Sequence, residues 1–86
     1  MEQFILITFK NTHDAMKAEK CINEKIEALR LIPIPSEISA GCGLSLKMDA
    51  EYLHEAKIEL AKAELSFSNI YEVKKTGLKK EIKQIE

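Results

Sequence analysis

A cysteine between two glycines is the feature of this sequence with the clearest potential for chemistry. Cys42 stands in the run Gly41-Cys42-Gly43, and such small neighbours let a partner protein or a small donor approach the sulfur closely. A cysteine attacks sulfur as its thiolate, which a helix N-terminus or a nearby cation stabilises. We therefore interpret Cys42 as a candidate nucleophile, with Gly41 and Gly43 providing access.

Packing is the alternative role for Cys42, because cysteine is among the most buried residue types. Position alone leaves the two roles evenly balanced. Cys21 falls in the middle of a predicted helix beside its apolar stripe, which favours a structural role. The two cysteines lack CxxC spacing, so free thiols are favoured over a disulfide. No pair formed with His13 or His54 has zinc-finger spacing, and we predict no metal site.

The apolar pattern predicts four strands and two helices, all in one domain that spans residues 1–73. In the first strand, apolar residues occupy both parities, which predicts a central strand covered on both faces. The order β-α-β-β-α-β predicts the α+β class and a ferredoxin-like split βαβ sandwich, an antiparallel sheet with two helices on one face. The strands are expected at 3–9, 29–34, 44–48 and 67–73, and the helices at 12–26 and 49–64.

Residues 74–86 form a lysine-rich amphipathic C-terminal tail. Leu78, Ile82 and Ile85 have the spacing of a short amphipathic helix, and a frayed, solvated tail is the alternative. The second face of the first strand needs a cover, which the tail helix or a second subunit could supply. Deletion of residues 75–86 is then expected to expose apolar surface and change the oligomeric state.

The predicted topology places Cys42 among the residues that begin the first helix, because the third strand starts at the sheet edge where the first strand ends. Lys10 and His13 would add positive charge there and stabilise a thiolate, although a role in starting the helix competes for His13. Ser66 and Phe67, before the fourth strand, should reach the same edge. The residues expected around the thiol at the helix start are Lys10, Asn11, Thr12 and His13, of which Thr12 or Asn11 is expected to cap the helix.

Composition and missing motifs exclude several classes of function. The 86 residues carry 13 Lys and Arg against 14 Asp and Glu, so no basic excess supports general nucleic-acid binding. No apolar run is long enough for a membrane span or a signal peptide, which leads us to expect a soluble cytoplasmic protein. Phosphate-binding and dinucleotide-binding glycine motifs are missing, so no cofactor is predicted.

Two stretches of the chain resemble a small bacterial family of selenium/sulfur carrier-like proteins. They are residues 12–20 (THDAMKAEK) and 30–44 (RLIPIPSEISAGCGL), and the likeness covers about residues 3–73. The resemblance implies a cytoplasmic protein in which Cys42 carries sulfur or selenium, as a persulfide or selenosulfide, between donor and acceptor proteins. It also implies that Thr12, His13 and Glu19 match the family's first-helix motif.

One position departs from the family pattern, since Ser36 stands where members often have an arginine after the proline. Arg30 or Lys10 are the candidates to replace that positive charge. A non-enzymatic, ligand-sensing or dimerising ferredoxin-like binding module with a structural cysteine is the alternative function. An enzyme such as a thiol reductase is a further alternative, but it usually needs a resolving cysteine, and Cys21 is badly placed for that role.

Overall fold

A computed structural model describes residues 2–26, 29–35, 38 and 43–86. The described residues form one antiparallel sheet in the order β2-β3-β1-β4-β5, together with two α-helices, so the predicted α+β class is confirmed. The elements are β1 (Glu2–Thr8), α1 (Thr12–Asn23), β2 (Arg30–Pro33), β3 (Leu44–Met48), α2 (Leu53–Lys62), β4 (Asn69–Thr76) and β5 (Lys79–Gln84), with a 3₁₀ turn (Ala50–Tyr52) before α2.

Strand β1 lies at the centre of the sheet and is buried on both faces, as its apolar pattern predicts. Ile5 and Ile7 face the main core, where they pack with the inward side chains of both helices. Phe4 and Leu6 point to the opposite face and form a second cluster with Val73 of β4. The helix side chains in the main core are Ala15, Ala18 and Ile22 of α1 and Ala56 and Leu60 of α2.

The connection between β2 and β3 helps to cover the second face of the sheet. Ile38, only 7% exposed, belongs to the cluster of Phe4 and Leu6, and Ile34 packs against that cluster. The amide of Ile38 donates to the carbonyl of Pro35 at 3.0 Å. The cover therefore comes both from inside the predicted domain and from the predicted tail, because Ile82 also packs against this cluster.

The chain after residue 73 is a β-hairpin, so the prediction of a tail helix is wrong. Strand β4 continues to Thr76, and β5 pairs with it along its length, with Ile82 opposite Val73. Gly77, the first of the two turn residues, has φ +61°. Glycine at this position allows a two-residue turn whose twist matches that of the two paired strands. The apolar residues of this segment do not share one buried face, as a helix would require. Leu78 lies fully exposed at the tip, while Ile82 packs on the second face of the sheet.

This hairpin gives the sheet five strands where the sequence analysis expected four. The prediction that the domain spans residues 1–73 and that residues 74–86 are its tail stays a prediction, although β4 crosses that boundary and β5 extends the same sheet.

Specific hydrogen bonds mark the ends of both helices. The side chain of Asn11, and not that of Thr12, caps α1 by accepting from the amide of Asp14 at 2.8 Å. At the end of α2 the amide of Leu65 donates to Leu60 (2.9 Å) and that of Glu64 to Ala61 (3.1 Å). This is the pattern of a Schellman motif. Its left-handed position, usually glycine, is occupied by Glu64 with φ +57°.

Candidate functional site

Gly43 is the part of the glycine-flanked motif that the structure describes, whereas Gly41, Cys42 and Ser36 lie outside the described residues. Gly43 is exposed, and its carbonyl accepts a hydrogen bond from the amide of Ile34 at 3.0 Å. A Cβ built on Gly43 would meet no atom within 4 Å, and its φ is not left-handed. The backbone therefore does not require glycine at this position, and the surrounding space is open.

Gly43 lies at the end of the sheet where β1 finishes. The β1–β3 register pairs Thr8 with Ser45, and Gly43 precedes Ser45 by two residues while Lys10 follows Thr8 by two. The predicted meeting of the third strand's start with the first strand's end is therefore confirmed. Arg30 lies at the opposite end of β2, beside Lys47, so Lys10 is better placed than Arg30 to supply a positive charge near Gly43.

The residues that begin α1 do not converge on one point. Thr12, the first residue of the helix, is exposed. His13 lines a shallow depression of about 330 Å³ between α1 and Leu31 of β2, next to the half-exposed Met16. Glu19, the other residue of the first-helix motif, lines the same depression. Lys10 lines a separate cleft, so the structure places the two candidate cations of the thiol site on different surfaces.

The cleft that contains Lys10 lies between the start of α1 and the loop joining α2 to β4, and its volume is about 360 Å³. Thr8 fixes its wall: the carbonyl of Thr8 accepts from the amide of Ser68 at 2.7 Å, and its hydroxyl accepts from the amide of Asn69 at 3.1 Å. The predicted approach of Ser66 and Phe67 to Lys10 is confirmed. The lining residues are Lys10, Asp14, Glu64, Leu65, Ser66, Phe67 and Ser68.

Sequence reasoning did not assign Asp14 and Glu64 to this cleft. Asp14 was visible only as an acidic residue in the first turn of a helix, where a negative charge complements the helix dipole. Glu64 was visible only as the last residue of the second predicted helix. Neither pattern indicates that the two carboxylates line a common cleft, because that depends on where α2 ends relative to α1.

The remaining candidates are accounted for by their surroundings. Cys21 is a free, partly buried thiol on α1, in keeping with the structural role that its position favours. His54 is exposed at the start of α2.

Across the described residues, no three His, Cys, Asp or Glu side chains lie close enough together to hold a metal ion. None of the described helices has the length and apolar character needed to cross a membrane.

Comparison with known proteins identifies the family. A family model described as "Putative Se/S carrier protein-like" matches residues 4–72, from β1 into β4. Searches of curated proteins and of solved structures found no match. The match spans the first helix, the connection that contains Cys42, and Gly43, and it ends before the β4–β5 turn. The chain belongs to the Se/S carrier-like family.

Proposed function

We propose that this protein carries sulfur or selenium as a persulfide or selenosulfide on Cys42, between a donor protein and an acceptor protein. Family membership over residues 4–72 is the observation that carries the proposal. The open space around Gly43, the residue bonded to Cys42, supports the access that a partner's sulfur needs. Gly41 serves the same purpose on the other side of the cysteine.

The transfer is an exchange at sulfur that needs no external oxidant or reductant. The Cys42 thiolate attacks the outer sulfur of a donor persulfide, the donor's S–S bond breaks, and the donor leaves as a thiolate. The outer sulfur, with its proton, is then bonded to Cys42. In the second step an acceptor thiolate attacks that outer sulfur, and Cys42 leaves as a thiolate ready for another cycle. Selenium would follow the same course.

Residues at the start of α1 are proposed to favour the thiolate. The helix N-terminus carries partial positive charge from amides without intrahelical partners, and Thr12 and His13 lie in that first turn. Lys10 follows β1 at the sheet end that contains Gly43, and we propose it as the replacement for the positive charge that the family often places at position 36. His13, which lines a depression together with Leu31 of β2, is the second candidate cation.

The strand order supports a ferredoxin-like split βαβ arrangement as the scaffold of this site. The first four strands follow the order β2-β3-β1-β4 with antiparallel pairing, and β5 is an addition beside β4.

A homodimer and a cytoplasmic location remain part of the proposal. Light scattering of the purified protein tests the first, and a mass equal to one chain would contradict it.

The pH dependence of Cys42 alkylation tests whether the site stabilises a thiolate. The measurement uses a Cys21→Ser background, so that only one thiol reacts, and compares folded with urea-unfolded protein. We expect the folded thiol to titrate well below the unfolded one. If it titrates normally, or reacts only after unfolding, Cys42 is a packing residue, and the ligand-sensing binding module takes the place of the carrier.

Labelled sulfur from a cysteine desulfurase tests the transfer itself. The Cys21→Ser protein is expected to take up the label in a form that a reducing agent removes, and the further Cys42→Ser variant is expected to take up none. Gly43→Val should slow uptake by narrowing access, while Gly43→Ala serves as the matched small substitution. Uptake by the Cys42→Ser variant at the normal rate would end the proposal.

A further inference from the structure

The cleft beside Lys10 brings together charges of both signs that form no ion pair with one another or with other described residues. Lys10 supplies a cation, and Asp14 and Glu64 supply two carboxylates, from separate parts of the chain. No ion pair within the described residues includes any of the three. Opposite charges that face one cleft without pairing suit a ligand that itself carries both charges.

The rest of the lining has the character of a site for a small polar molecule. Ser66 and Ser68 line it with hydroxyl groups, which act as hydrogen-bond donors and acceptors, and Leu65 and Phe67 add the apolar part of the wall. The volume of about 360 Å³ falls at the lower end of the range of about 300–1,000 Å³ that is usual for ligand sites.

Glu64 reaches this cleft from the left-handed position at the end of α2. Glu64 adopts φ +57°, and within the described part of the chain it is the one residue other than glycine with a positive φ. Glycine would fill this position of the helix end with less strain. Glycine has no carboxylate, however, so the glutamate at this helix end adds a negative charge to the cleft.

We propose that this cleft binds a free α-amino acid as its zwitterion, with the carboxylate at Lys10, the ammonium group between Asp14 and Glu64, and a polar side chain at Ser66 and Ser68. The site does not include Cys42 and does not depend on sulfur transfer. It lies at the end of β1, between the start of α1 and the α2–β4 loop.

An NMR titration of the full chain with L-serine tests the site. We expect saturable shifts of the backbone amides of Lys10, Ser66 and Ser68 at concentrations up to about 10 mM, which covers a Kd near 1 mM. Ethanolamine lacks the carboxylate and 3-hydroxypropionate lacks the ammonium group. Each should bind at least about tenfold more weakly, as expected when a charge-assisted hydrogen bond is lost. Equal binding of either analogue, or no saturable shift with L-serine, overturns the proposal.

Charge-removing variants connect the binding to the named carboxylates. Glu64→Gln and Asp14→Asn are each expected to raise the Kd for L-serine by about tenfold, and the amide spectrum shows directly whether each variant is folded. Glu55→Gln changes an exposed acid on α2 that does not line the cleft, so its Kd should equal that of the parent. An unchanged Kd in both cleft variants contradicts the assignment. None of these variants alters Cys42, so sulfur uptake is measured separately on the same proteins.

Discussion

The side chain of Thr8 and the backbone of Asn69 form a reciprocal pair of hydrogen bonds between the end of β1 and the start of β4. The Thr8 hydroxyl accepts from the Asn69 amide at 3.1 Å and donates to the Asn69 carbonyl at 3.3 Å. Thr8 is completely buried. This contact fixes the α2–β4 loop, which forms one wall of the Lys10 cleft, against the strand that leads into α1.

Replacement of Thr8 by valine is expected to destabilise the protein by about 1–3 kcal/mol, because the hydroxyl that accepts from the Asn69 amide is lost in a buried place. Amide hydrogen exchange provides the specific measurement: the Asn69 amide should exchange faster in Thr8→Val than in the parent. Thr8→Ser is the control, since it keeps the hydroxyl and should keep the amide protected. Equal protection in all three proteins would show that the pair does not hold the strands together.

Replacement of Glu64 by glycine is expected to stabilise the fold even though it removes a side chain. A left-handed residue with a Cβ costs about 1–2 kcal/mol, and the extra freedom of glycine in the unfolded chain offsets part of that gain. A net increase of about 0.5–1 kcal/mol should raise the Tm by about 2–8 °C. Glu64→Ala keeps the Cβ and should show no increase. A Glu64→Gly protein no more stable than Glu64→Ala would mean that the φ of residue 64 carries no strain.

Ile38→Ala is expected to cost about 2–4 kcal/mol, because it removes a buried side chain from the cluster of Phe4 and Leu6. Binding of a hydrophobic dye should increase as the second face of the sheet loses this cover. Leu78→Ala is the matched control, because Leu78 is fully exposed at the hairpin tip, and its effect should stay within about 0.5 kcal/mol. Urea unfolding of the two variants measures both values, and equal losses would contradict the position of Ile38.

Gly77 and Gly43 form a matched pair of positions that tests where the backbone conformation requires glycine. Gly77→Ala places a Cβ at φ +61° in the β4–β5 turn and is expected to destabilise the protein by about 1–2 kcal/mol. Gly43→Ala meets open space at an ordinary φ, so its stability should lie within about 0.5 kcal/mol of the parent. Thermal unfolding of the parent and of both variants measures these two changes in stability. If Gly43→Ala were the more damaging substitution, glycine would be needed at position 43 for the fold and not for access.

The sequence predicted those parts of the fold in which local periodicity and final burial agree. The stripe of Ala15, Ala18 and Ile22 became the buried face of α1, and the double-sided apolar pattern of residues 4–7 became the central strand. The prediction for residues 74–86 was wrong because the spacing of Leu78, Ile82 and Ile85 also fits a helix. Gly77, whose left-handed φ makes the turn, was the signal that should have separated a hairpin from a helix.

The candidate site was predictable only to the level of which segments meet. Topology alone placed Lys10 near Ser66 and Phe67 and brought the start of β3 to the end of β1. It did not separate Lys10 from His13, because that depends on how α1 is rotated about its own axis. Nor did it indicate Glu64, since a left-handed glutamate leaves no local pattern in the sequence.

The position of β1 in the sheet has a consequence for the order of events during synthesis. Its two neighbours are far along the chain, and the contact between Thr8 and Asn69 spans 61 residues. At about 5–20 residues per second, roughly 3–12 s pass between the synthesis of these two residues. Throughout that time the most apolar strand has no partner on its β4 side, so the nascent chain is exposed to aggregation or to capture by a chaperone until the later strand emerges.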